Sequence, residues 1–273
     1  MKTVSAKKIE VTVARLAREA NINLRKDVLA ALKKAYHLEK NRRSKLLLKA
    51  IIDNAAYARK ERLAICQDTG LPLVFMELGQ DVKISGDFRK AVIKGIETGY
   101  KKGNFRESVI TNPLTRGKST YRGAIIHTEI VRGNKLKITV MPKGFGCENK
   151  SQFKMFNPTA GLEEIKKFIL SAVKSAGPDA CPPYVIGIGI GGTADYASLL
   201  AKKALLRKIS GSKNKLESDL LKEINKLNIG PMGLGGKTTA LAVNVETFPT
   251  HIAGLPVALN ISCHALRSAS AIL

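Results

Sequence analysis

Four cysteines, Cys66, Cys147, Cys181 and Cys263, have the widest chemical range in this chain. They lie far apart, and no two form a C-x-x-C pair. The ordinary reading of each is a small buried hydrophobe. A chain of this length does not need disulfides to hold its core. Three of them nevertheless sit in settings that suit a metal-ligating thiolate. Cys66 opens the polar loop Gln67-Asp68-Thr69-Gly70, Cys181 precedes Pro182-Pro183, and Cys263 closes an apolar run just before His264. Ligating thiolates need donors around them and limited water. Three such thiolates could hold three irons of a [4Fe–4S] cluster and leave the fourth open as a Lewis acid for a hydroxyl and a carboxylate. Spacing alone does not separate this from three buried thiols.

Asp68 and His251 are the acid–base candidates. Histidine titrates near neutral pH, and a nearby carboxylate sets its tautomer and raises its pKa. The competing reading for any one histidine is a hydrogen-bonded structural residue, and His127 and His264 share it. His37 falls on a basic helical stretch and is expected at the surface. Arg106, in an irregular segment, could fork onto a carboxylate, although a surface arginine is the commoner outcome.

Two glycine-rich runs invite a nucleotide reading. In the run from Gly230 to Thr239 (GPMGLGGKTT), the pattern G-x-x-x-x-G-K-[ST] needs a glycine at 231, where Pro231 stands. The better reading is backbone N–H groups approaching some anion or cofactor, or a tight turn under a strand. The run from Val185 to Thr193 (VIGIGIGGT) matches G-x-G-x-x-G at Gly187, Gly189 and Gly192. Its first two glycines fall inside an apparent strand and not in a turn after it. Close packing beside a neighbour, whether a bulky cofactor or another element, fits that position.

The framework for these residues follows from periodicity. From Ile9 to about Arg62 apolar residues recur near every 3.6 positions, giving a helical N-terminal part of about 9–64, with Asn21 and Asn23 as a turn or cap. Leu71 to Leu78 reads as a strand and Gly86 to Gly99 as a helix. Gly103 to Thr120 reads as irregular. Ile125 to Val131 and Lys135 to Met141 read as strands joined in a hairpin at Gly133-Asn134. Further helices are expected at Gly161 to Ser175, Ala197 to Leu206 and Glu217 to Leu227, with the polar stretch 210–215 between the last two. Strands are expected at Val185 to Ile190, Ala240 to Glu246 and Pro256 to Ser262. No steady βαβ rhythm appears, so the expected fold class is mixed α/β (α+β), an irregular layered fold formed as a single domain over 1–273.

The chain has 273 residues, 44% hydrophobic, enough to bury a core. Its formal charge is +24, from 46 Lys and Arg against 22 Asp and Glu. That charge could serve nucleic acid, an acidic partner chain, or the steering of small dianions. Only 5% of residues are aromatic, Trp is absent, and no ring-plus-basic motif is present. A basic nucleic-acid-binding protein with a structural cluster is therefore the alternative from a different class, not the expectation. No apolar run approaches the roughly 18 residues of a membrane span. Lys2, Lys7 and Lys8 are not followed by the apolar stretch of a signal peptide. The expectation is a soluble cytoplasmic protein without a membrane role.

Taken in order, several of these stretches resemble class I fumarases and the related tartrate dehydratases. They are Cys66-Gln67-Asp68-Thr69-Gly70, Lys143 to Lys150 (KGFGCENK), Ala180-Cys181-Pro182-Pro183-Tyr184, Ile190 to Thr193 (IGGT), Leu234 to Lys237 (LGGK), and the run from Pro249 through His251 to Cys263. The resemblance extends from about residue 10 to the C-terminus. It implies a [4Fe–4S] cluster held by Cys66, Cys181 and Cys263. It implies substrate contacts at Gln67, Asp68, Arg106, Gly144 and Gly146, and a histidine beside the site at His251. Cys147 stands where the family usually carries serine, so it is left out as an accessory or inert thiol. The activity implied is reversible hydration of fumarate to malate, with L-tartrate or another hydroxy-dicarboxylate as alternative substrate. Single-chain members carry a second domain with further substrate contacts, which this sequence lacks. The resemblance therefore implies a separate beta subunit and an α2β2 assembly.

Overall fold

A computed structural model describes residues 2–209 and 214–273. The expected polar stretch 210–215 falls largely outside them. The chain begins β1 (Lys2–Ser5), α1 (Ala6–Ile22), α2 (Lys26–Leu38), α3 (Arg42–Glu61), β2 (Leu71–Gly79), β3 (Val82–Ser85), α4 (Phe88–Lys102), β4 (Val109–Asn112), β5 (Arg116–Thr120), β6 (Ile125–Val131) and β7 (Leu136–Lys143). It continues α5 (Phe145–Glu148), β8 (Gln152–Phe156), α6 (Leu162–Ala176), β9 (Tyr184–Gly192), α7 (Ala194–Leu206), α8 (Lys215–Lys226), a 3-10 turn at Pro231–Gly233, β10 (Ala240–Thr250), β11 (Leu255–Ser262) and β12 (Ala269–Ile272). Helices and strands are mixed as expected, with three helices at the N-terminal end. The chain divides into two compact units. The first comprises the chain up to Arg25 with Ala55–Phe145 and Arg267–Leu273; the second comprises Lys26–Asn54 and Gly146–Leu266.

The first unit is built on a sheet of order β12-β7-β2-β6. The apolar face of α1, with Ile9, Val13 and Leu16, packs with Val92 and Ile96 of α4 over Val74, Met76, Ile138 and Val140. Ser5 caps α1 by accepting from the Lys8 N–H at 3.2 Å. Small residues let the two helices approach: a Cβ on Gly99 would lie 2.6 Å from the Ala14 carbonyl.

Three sequence expectations fail in this unit, in whole or in part. β6 and β7 are not a hairpin, because β2 lies between them, parallel to β6 and antiparallel to β7. β2 carries a run of five buried residues, Pro72 to Met76, and takes the centre of the sheet, where both its edges are satisfied. The Gly133 turn instead accepts at its carbonyl from the Asp81 N–H. The stretch read as irregular holds the β4–β5 antiparallel hairpin. Asn21 is also not a cap; it is buried inside α1 and donates to the Ala17 carbonyl, while Asn23 is the C-cap.

The second unit has a sheet of order β10-β9-β11-β8. β9 explains its own sequence. With side chains alternating at period two, Ile186 and Ile188 face α6 and α8 in the main apolar cluster. Gly187 and Gly189 face α7, where a Cβ would lie 2.1 and 2.0 Å from the Ala201 and Ala197 carbonyls. The G-x-G-x-x-G match is thus spent on helix-to-strand packing.

Candidate functional site

The predicted residues divide between the units. Cys66, Gln67, Asp68, Arg106 and Gly144 belong to the first; Gly146, Cys147, Cys181, His251 and Cys263 belong to the second.

In the first unit, the loop after α3 carries Cys66, half-buried, and Gln67, exposed. Their side chains meet, Sγ to Oε1, at 3.5 Å. The loop is tied down at every following residue. Asp68 accepts from the Gly70 N–H at 2.9 Å and from the Phe145 N–H at 2.7 Å, one on each carboxylate oxygen. Its carbonyl accepts from the Arg267 guanidinium. Thr69 donates its hydroxyl to the Arg106 carbonyl at 2.9 Å, and the Thr69 carbonyl accepts from the Tyr100 phenol at 2.7 Å. Gly70, at φ 72°, lies so close to Lys143 that a Cβ would meet its backbone at 2.7 Å. Gly144 also brings its backbone close to Asp68, whose Oδ2 a Cβ would approach to 3.1 Å. Arg106 thus fixes the loop through its backbone and leaves an exposed side chain.

Two residues not singled out in the sequence complete this arrangement. Tyr100 is buried, and burial pushes its phenol up to about 12, so it is a neutral donor at ordinary pH. Arg267 is 4% exposed, its Nε has no partner, and it makes no ion pair among the described residues. A buried guanidinium with no carboxylate is costly. The only advance signal was its place four residues after Cys263.

In the second unit, Cys181 and Cys263 are both half-buried cysteines. His264 links their loops, its Nδ1 lying 3.0 Å from the Cys181 carbonyl. Burial first, then the charges of Cys147, Cys181, Asp179 and Cys263, pushes the Tyr184 phenol up. The phenol donates to the Gly177 carbonyl. Cys147 is buried and donates to the Ala180 carbonyl at 3.4 Å, and Lys150 pairs with Asp179 at 2.7 Å. The segment beginning at Gly146 therefore buttresses the loop that ends in Cys181. Cys181 itself has φ 54°, a left-handed conformation unusual for a side-chain-bearing residue.

The Gly230–Lys237 run buttresses the same loop. The Met232 N–H donates to the Pro182 carbonyl at 2.9 Å, and a Cβ on Gly233 would meet Pro178 at 2.3 Å. Its backbone does approach an anion, and that anion is the protein's own. Glu39 accepts from the Lys237 N–H at 2.8 Å, while Ser44 donates to the Gly235 carbonyl at 2.6 Å. With a carboxylate on the Lys237 amide, the run acts as a structural turn.

His251 is exposed, and its Nδ1 accepts from the Ala253 N–H at 3.2 Å. That bond places the proton of the neutral ring on Nε2, which leaves that nitrogen as a donor. Among the described residues no three His, Cys, Asp or Glu side chains stand together as a ready-made metal site. The donor chemistry still suits iron and sulfide, since half-buried thiolates on loops are the ligands such clusters take. No helix of the described residues is long and apolar enough to cross a membrane.

A family model described as "Fumarate hydratase (Fumerase)" matches residues 10–272. A protein of Methanocaldococcus jannaschii named "Putative L(+)-tartrate dehydratase subunit alpha" is 44% identical over 278 residues, covering 96% of each chain. L(+)-tartrate dehydratase subunit alpha of Escherichia coli strain K12 is 28% identical, covering 97% of this chain and 91% of its own. The corresponding subunit of Escherichia coli strain UTI89 is 27% identical over the same shares.

Proposed function

The chain belongs to the fumarate hydratase (Fumerase) family of hydro-lyases, and on that premise we propose that it is the alpha subunit of a [4Fe–4S]-dependent enzyme hydrating fumarate to malate. Dehydration of L(+)-tartrate fits the fold equally, and the names of the relatives favour it. The whole chain acts in this reading as one catalytic domain in the cytoplasm, completed by a beta subunit in an α2β2 assembly. The relatives it matches nearly end to end are themselves named as alpha subunits.

Cys66, Cys181 and Cys263 hold the cluster; Cys147, buried against the Ala180 carbonyl, does not. When bound, the cluster supplies a Lewis acid for the substrate's hydroxyl and carboxylate. The remaining chemistry falls to side chains. Arg106 offers an exposed guanidinium that can fork onto a carboxylate. Gln67 and the backbone at Gly144 and Gly146 add hydrogen bonds that orient the substrate. Asp68 is the carboxylate of the site, already oriented by two amides, and His251 presents Nε2–H as a proton-bearing partner. One observation carries the reading within the fold: a buried arginine without a carboxylate, Arg267, stands on the Cys66 loop. A fixed positive charge there suits a site that must hold thiolates and a dianion.

The test is an anaerobic assay after reconstitution with iron and sulfide, offering fumarate and L(+)-tartrate in turn, with and without the beta chain. Turnover of fumarate by both chains together establishes the first reading. Turnover of tartrate alone replaces it with the second. Turnover of neither dicarboxylate rejects both.

A further inference from the structure

The first unit's sheet ends at an edge strand, β6. Among the described residues β6 is paired on one side only, to β2. It is seven residues long, pairs with β2 without a bulge, and contains no proline, lysine or arginine. Bulges, prolines and basic side chains are among the devices that keep an edge strand from pairing, and its acidic residue is Glu129. Neither strand of the β4–β5 hairpin runs alongside it. Ile130 is 73% exposed and Ile125 43% exposed, both on this strand.

The orientation of the backbone follows from one bond. The Val131 carbonyl accepts from the Gln80 N–H at 2.8 Å, on the β2 side. Successive residues in a strand point their N–H and C=O groups to alternate edges. The outer edge therefore presents the backbone groups of Ile126, Thr128 and Ile130.

The sequence Ile-Ile-His-Thr-Glu-Ile-Val reads in a complementary way against itself. In antiparallel pairing about Thr128, Ile126 opposes Ile130 and Thr128 opposes Thr128, each pair exchanging both backbone hydrogen bonds. On the other face His127 opposes Glu129, and Ile125 opposes Val131. Apolar, hydroxyl and opposite-charge pairs are the cross-strand pairs that stabilise a sheet. The neighbouring registers lack this. Centred on Glu129, the strand sets Glu against Glu and Thr against Ile; centred on His127, it sets His against His and Ile against Glu. We propose that β6 pairs with β6 of a second copy, antiparallel and centred on Thr128, so that the sheet continues across a two-fold axis. Ile130 of each copy is then covered by Ile126 of the other.

The experiment uses the full chain with a Thr128→Cys substitution under mild oxidation. Directly opposed residues of a hydrogen-bonded pair lie about 5.5 Å apart at Cα, within the span of a disulfide. A cross-linked species of twice the 29.6 kDa chain mass, with a 128–128 junction in its peptide map, is expected. Wild type and Glu129→Cys, treated alike, should yield no junction at these positions, since residue 129 faces 127 and not its own mate. Ile130→Lys should halve the mass seen by sedimentation equilibrium while its circular dichroism stays unchanged. Absence of the 128–128 junction in folded Thr128→Cys protein overturns the proposal. So does an Ile130→Lys variant that sediments at the wild-type mass. None of these readouts depends on catalysis.

Discussion

Around Cys66 the chain is held by polar side chains: Tyr100 and Arg267 reach into a short loop, and the Asp68 carboxylate reaches out of it. Around Cys181 and Cys263 it is held by close backbone contact, glycines against helices and turns against turns, with His264, Lys150 and Cys147 as local ties. The first construction puts charge and proton donors beside a thiol. The second makes a stiff, closely packed seat with few charges of its own. In the proposed function the first kind suits binding and orienting a dianion, and the second suits holding thiolates in place.

The contrast predicts different failures. Gly189→Ala should be the most damaging of the non-ligand changes. Its new Cβ would lie 2.0 Å from the Ala197 carbonyl, and overpacking of that kind costs about 3 kcal/mol. Chemical denaturation should show the loss; an unchanged midpoint would mean that α7 yields freely and the second region is not rigid. Arg267→Gln should cost about 2 kcal/mol, the worth of a charged hydrogen bond, and should raise KM for the dicarboxylate more than it lowers kcat. A pure loss of stability with unchanged KM would make Arg267 a structural tie alone. Tyr100→Phe should cost about 1 kcal/mol through the lost bond to Thr69.

Tyr100 also predicts a pH effect. The folded phenol titrates at about 12 and the unfolded one at about 10. The stability tied to the protonated phenol is therefore complete below pH 10 and is lost as pH rises from 10 to 12. Tyr100→Phe should flatten the fall of the unfolding midpoint across that window. An equal slope in both proteins would contradict the burial of Tyr100.

What the sequence disclosed and what it hid follow a physical line. Helices α1, α4 and α6, strand β9 and the loop positions of Cys66, Cys181 and Cys263 were readable because they rest on local periodicity and local breaks. The alternation of Ile and Gly in β9 was visible, and only its meaning needed α7. The placement of β2 between β6 and β7 was not readable, because a short turn between two strands favours a hairpin unless a distant strand competes. Glu39 was hidden for the same reason: it reaches the Lys237 amide from 198 positions away. Arg267 was one of 46 basic residues, and its partner is a backbone carbonyl, which leaves no spacing to read.

The most direct test of the account is the iron and sulfide content of anaerobically reconstituted wild type beside the Cys66→Ser, Cys181→Ser, Cys263→Ser and Cys147→Ser variants, each followed by turnover. The account predicts about four irons per chain in wild type, as a [4Fe–4S] cluster requires. It predicts loss of cluster and activity in the first three variants, and both retained in Cys147→Ser. A full cluster in Cys66→Ser, or equal loss in all four, would contradict it.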